Sequence, residues 1–128
     1  MNTTFQPRRK TISLCYWNTI PNFGDSLSPY LISKITRCEV KHASLKGKDN
    51  LVGIGSLIRS STLFSQSHIW GSGSLTSDPF RKIPFYSIHK HLQNWYKQSF
   101  KRSFIYALRG PLTEKVCLNA GFKAPGIY

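Results

Sequence analysis

Few residues in this 128-residue chain could do chemistry, and they recur in one kind of place. Asn22, Gly24 and Asp25 stand in "NFGDS", Gly55 and Ser56 in "GIGS", Gly71 and Gly73 in "WGSGS", and Arg109 and Thr113 in "ALRGPLT". Each group follows a short apolar run and pairs glycine with a hydroxyl or a charge. Glycine lets a ligand come close to the backbone. A helix N-terminus behind it offers unpaired N–H groups and a partial positive charge. An arginine adds a fixed cation. This is the chemistry of an anion site, and Asp25 could orient a hydroxyl or accept its proton. Each residue also has a plainer role open to it. Asp25 could cap a helix, the glycines could serve tight turns, and Arg109 could support the rim. No stretch matches GxGxxG or GxxxxGK[ST], so the standard dinucleotide and P-loop patterns are excluded. His42, His68, His89 and His91 fall at no metal-ligand spacing, and no metal is expected.

The elements that would hold these residues can be read from periodicity. "TISLCYW" (11–17), "NLVGIG" (50–55), "SHIWGSGS" (67–74) and "SFIYALRG" (103–110) suit buried strands, and "CEVKHA" (38–43) alternates like a further one. A helix is predicted from Ser26, with Leu27, Leu31 and Ile35 on one face and Pro29 in its first turn. A short helix should begin near "GSLIRSS". A clearer one spans 111–120, with Pro111 at its start, Leu112, Val116 and Ala120 as its apolar face, and Gly121 as its stop. Apolar strands alternating with helices predict an α/β fold, a Rossmann-like parallel sheet with flanking helices. The four motifs would then gather at the carboxyl rim of the sheet, where such folds bind ligands.

The organisation expected is a flexible basic N-terminus (1–10) followed by one domain (11–128). There are 18 Lys+Arg against 5 Asp+Glu, a formal charge of +13, which implies an anionic partner of some kind. The stretch 80–102 holds six Lys/Arg, six Phe/Tyr/Trp and no acid, and reads as a helical insertion or long loop. It could meet an anionic membrane face or single-stranded nucleic acid. No nucleic-acid motif is present, the glycine strand ends would then go unexplained, and no nucleic-acid partner is expected. Cys15, Cys38 and Cys117 fit neither a disulfide framework nor a metal pattern and read as buried thiols in a reducing compartment. Arg8, Arg9 and Lys10 precede only a short apolar run with no small-residue cleavage site, which does not match a secretory signal. A cytoplasmic location is expected. The closing "FKAPGIY" reads as a turn entering a new strand, as in a fragment of a longer protein.

Taken in order, "YW", "NFGDSLSPYL", "VGIGSLI", "IWGSGS" and "ALRGPLTEKVCLNAG" resemble the N-terminal half of the polysaccharide pyruvyl transferase family. The similarity is greatest to the branch acting on bacterial exopolysaccharide repeat units. It covers residues 12–128, with a gap at 76–102. The resemblance implies one Rossmann-like wall of a two-domain, GT-B-type transferase. It implies no cofactor, with phosphoenolpyruvate as donor and a lipid-linked oligosaccharide or polysaccharide as acceptor, at or near the inner membrane face. Asp25 would be catalytic, Asn22, Gly24, Gly55, Ser56, Gly71 and Gly73 would shape the cleft, and Arg109 and Thr113 would sit at the last helix N-terminus. The second domain would carry most donor contacts. An ordinary GT-B-like glycosyltransferase domain is the alternative from the same class.

Overall fold

The computed structural model describes residues 10–20, 22–77 and 102–128. Of the predicted flexible N-terminus only Lys10 is described, and of the basic-aromatic stretch only Arg102; the rest of both lies outside the described residues.

The described elements run β1 (Thr11–Cys15), α1 (Phe23–Thr36), β2 (Glu39–His42), β3 (Leu51–Val52), α2 (Ser60–Leu63), β4 (His68–Ser72), β5 (Phe104–Leu108) and α3 (Pro111–Asn119). The five strands form one parallel sheet in the order β2-β1-β3-β4-β5. The chain leaves β1 toward β2 on one side and comes back to β3 on the other. A crevice therefore opens between the carboxyl ends of β1 and β3, where the winding direction reverses. At one edge β2 alternates and is mostly exposed, while the short central β3 is apolar, as burial on two faces requires.

Neighbouring strand residues point to opposite faces, and the core divides accordingly. On one face Cys15, Val52, Ile69 and Leu108 meet Leu57, Ile58 and Leu63 around α2, and Cys117, Ala120 and Phe122 around α3. On the other face Leu14 and Gly53 meet Ser28 of α1, with Ile32 buried one turn on. Among the described residues no helix packs on the β4–β5 part of that second face. His68 stacks there between Phe104 and Tyr106, at ring distances of 5.3 and 5.8 Å, and its Nδ1 lies 3.1 Å from the Tyr106 hydroxyl.

Both long helices differ from the periodicity. α1 starts three residues before Ser26, because Asn22 caps it. Pro29 thus lies in the helix interior and denies the Asp25 carbonyl its usual N–H partner. The face that packs is Ser28 and Ile32, and Ile35 is 65% exposed. The reason is steric: α1 seats on the sheet through a small hydroxyl residue over a glycine. α3 buries Thr113, Val116 and Cys117 and leaves Leu112 82% exposed, so Leu112 is not part of its apolar face. Its end is as the glycine predicts. Gly121 has φ +79°, its N–H donates to the Leu118 carbonyl (2.8 Å), and the Phe122 N–H donates to the Cys117 carbonyl (2.9 Å). That is a Schellman closure, with Phe122 driven into the core. Residues 123–128 form no strand; the Leu108 N–H donates to the Ile127 carbonyl (2.9 Å) beside the end of β5.

A Cβ on Gly53 would collide with the Ser28 hydroxyl, which accepts the Ile54 N–H at 3.0 Å. Gly53→Ala is therefore expected to cost about 1–3 kcal/mol by overpacking. Ser28→Ala should relieve part of that, although it leaves the Ile54 N–H unpaired. Chemical denaturation of the two single variants and the double variant checks this: the two costs should be clearly less than additive.

Two of the three thiols are buried, and Cys38 is half-exposed. Burial pushes the Cys117 thiol up to about 11, with Glu114 adding to the shift. Burial also raises Cys15, against a lowering hydrogen bond from Asn50. A thiol raised in the folded state stays protonated there after the unfolded chain has ionised. Its contribution to stability is lost as pH climbs from the ordinary thiol range, about 8.5, through about 11. Stability measured against pH should fall across that window, and a thiol reagent at pH 8 should label Cys38 first and the other two only on unfolding.

Candidate functional site

The reversal crevice encloses about 380 Å³, within the range of small-molecule sites. It is lined by Trp17 and Asn22 from the β1–α1 loop, by Gly24 and Asp25 in the first turn of α1, by Ile54, Gly55, Ser56, Leu57 and Arg59 after β3, and by Leu75 and Arg109 after β4 and β5. Segments after four strands converge here because parallel strands all point their carboxyl ends to one rim.

Asn22 and Asp25 form a reciprocal cap. The Asn22 Oδ1 accepts the Asp25 N–H at 2.9 Å, and the Asn22 Nδ2 donates to Asp25 Oδ2 in a short hydrogen bond. Asn22, and not Asp25, is thus the N-cap; Asp25 is the third helical residue, where the helix dipole favours a carboxylate. Its other oxygen, Oδ1, lies 2.5 Å from where a Cβ on Gly55 would stand. Gly55 has φ +137°, a conformation that suits glycine. A side chain at Gly24 would meet only Asn22 Oδ1, at an ordinary 3.5 Å, so nothing steric demands glycine there.

Across the crevice, Arg109 Nη1 donates to Ser56 Oγ at 3.0 Å. Its guanidinium lies flat over Gly73, in the space a Cβ would fill. Gly55 and Gly73 are themselves bonded, the Gly73 N–H donating to the Gly55 carbonyl at 2.7 Å. The carboxylate and the guanidinium therefore rest on consecutive residues, Gly55 and Ser56. Among the described residues no ion pair within 4.0 Å joins Asp25 to Arg109 or to Arg59.

Six of the nine residues singled out from the sequence line the crevice: Asn22, Gly24, Asp25, Gly55, Ser56 and Arg109. Gly73 supports Arg109 from beneath. Gly71 does not reach the crevice; with φ +76° it takes up a register slip between β4 and β5. Thr113 is buried away from it, and its Oγ1 accepts the Ser74 N–H at 3.3 Å. The lining residues that spacing did not single out are Trp17, Ile54, Leu57, Arg59 and Leu75. Arg59 carried a usable signal, being a cation seven residues after a short strand. Among the described residues no group of three or more His, Cys, Asp or Glu side chains could hold a metal ion, and no helix is long and apolar enough to cross a membrane.

The two glycines under the charges should respond differently to alanine. Gly55→Ala meets both a positive φ and the Asp25 carboxylate and should cost about 1–3 kcal/mol. Gly73→Ala meets only the mobile end of an arginine, so stability should change by less than about 0.5 kcal/mol while Arg109 is displaced. Thermal unfolding reads the first effect, and the NMR shift of the Arg109 Nε–H group reads the second.

Comparison with protein-family models, curated proteins and solved structures finds no match to this chain, so the functional conclusion rests on the crevice and the order of its motifs.

Proposed function

We propose that this chain is the crevice-bearing wall of a pyruvyl transferase that forms a cyclic ketal on a sugar of a surface or exopolysaccharide glycan. The observation that carries this is the unpaired couple of Asp25 and Arg109 over Gly55 and Ser56 in one crevice. The reaction needs both signs at once. The methylene carbon of phosphoenolpyruvate gains a proton, and a sugar hydroxyl adds to C2 and loses its own. A second hydroxyl then displaces phosphate, which carries away that hydroxyl's proton, and closes the ketal. Arg109, steadied by Ser56, neutralises the carboxylate or phosphate of the donor as charge shifts toward the leaving group. Asp25 orients the attacking hydroxyl and accepts its proton. Phosphoenolpyruvate is the donor and a lipid-linked oligosaccharide or polysaccharide the acceptor, which fits work at the inner membrane face. The basic surplus of the chain favours an anionic donor and an anionic membrane alike.

Trp17 in the crevice wall reports binding. Phosphoenolpyruvate should change its fluorescence saturably, and the change should vanish in Trp17→Phe. Arg109→Ala should weaken binding by roughly 10- to 100-fold, the worth of a charge-assisted hydrogen bond. If a nucleoside diphosphate sugar binds through Arg109 and phosphoenolpyruvate does not, the chain is a glycosyltransferase domain and the proposal fails.

A further inference from the structure

Opposite charges that share a crevice normally find each other. Asp25 and Arg109 approach adjacent residues, carry the only acid and one of the two cations among the described crevice-lining residues, and still form no ion pair. Each is instead held by a neutral partner. The Asn22 amide takes Asp25 Oδ2, and the Ser56 hydroxyl takes Arg109 Nη1. Gly55 and Gly73 complete the arrangement, since the carboxylate and the guanidinium each occupy the space of a missing Cβ. Both charges are thus parked against the floor.

We infer that Ser56, with Asn22 opposite, is a positioning residue that keeps Asp25 and Arg109 apart. Its hydroxyl occupies the guanidinium and leaves the carboxylate uncompensated, so the crevice stays open to a ligand with an anion at one end and a hydroxyl at the other. Without Ser56 the long arginine side chain is released. It then swings to Asp25, and the crevice shuts on an internal ion pair that any anion must displace. The inference rests on the reading that Arg109 is the anion-binding group, and it adds that Ser56 works through Arg109 and need not touch the ligand.

The test uses the whole chain and inorganic phosphate as probe, with binding read from the Arg109 Nε–H resonance. With Asp25 in place, Ser56→Ala should weaken phosphate binding roughly twofold to fivefold at low salt, the range of a part-exposed ion pair. The loss should shrink as salt screens the pair. Made in the Asp25→Asn background, where no carboxylate competes, Ser56→Ala should cause no loss. Ser56→Thr, which keeps the hydroxyl, should bind phosphate as Ser56 does. An equal loss in both backgrounds would mean that Ser56 contacts the anion itself and would overturn the inference, as would the absence of any loss. A second measurement needs no ligand. Thermal unfolding of Asp25→Asn, Arg109→Gln and the double variant should show no coupling with Ser56 present and a favourable, salt-sensitive coupling in Ser56→Ala. No coupling in either background also overturns it. If phosphate does not bind the wild-type chain, the anion-site reading fails, and the coupling measurement still decides the role of Ser56.

Discussion

The close seating of α1 on β3 governs the rest of this structure. Gly53 lacks the atom that would keep α1 away, and Ser28 fills its place while accepting the Ile54 N–H that the short β3 strand leaves without a ladder partner. One hydroxyl thus solves a packing problem and a hydrogen-bonding problem. A buried, unpaired N–H would cost about 1–3 kcal/mol. Because the contact is this close, the first turn of α1 sits directly over the Gly55 backbone, and Asp25 is carried into the crevice with it.

From that contact the site follows by simple geometry. Parallel strands put every β-to-α turn on one rim, and the reversal between β1 and β3 opens a gap there. Asn22 closes the helix end and fixes Asp25 in the same stroke. Ser72, buried at the end of β4, donates its hydroxyl to the Gly55 carbonyl (3.2 Å) and accepts the Leu57 N–H (3.3 Å). The floor under the two charges is thereby tied to the main core. Arg109 comes from the far edge of the sheet and reaches the crevice only because Gly73 leaves a flat path across the backbone. The charged pair is held by rigid, neutral groups, and charges fixed before the ligand arrives need little reorganisation when it binds.

The sheet is less evenly covered than its rim. One face has α2, α3 and Phe122; the other has α1 near β1 and β3, and a stacked row of His68, Phe104 and Tyr106 over β4 and β5. Phe104 and Tyr106 remain 58% and 51% exposed. Stacking with His68 shelters part of their ring faces from water.

The amino-acid sequence by itself determined the parallel α/β class, the rough places of the strands and the grouping of glycine, acid and arginine at their ends. Those features are local: apolar runs, alternation, Pro111 and Gly121 act within a few residues. The Schellman end at Gly121 was legible for that reason. Helix faces were not. Ile35 and Leu112 fit an apolar stripe, but which stripe is buried depends on what lies opposite, and here that is Gly53 for α1. Which glycine serves which purpose was also undecided. Gly55 and Gly73 make room for a carboxylate and a guanidinium, Gly71 absorbs a register slip, and Thr113 turns to Ser74. The start of α1 shows the divide most plainly. Asn22 and Asp25 both precede the helix start expected at Ser26, and Asp25, directly before it, was read as a possible cap itself. Only the packed helix, with one carboxylate oxygen against Gly55 and the other on Asn22, decided between them, because that choice needs a partner about 30 residues away in the chain.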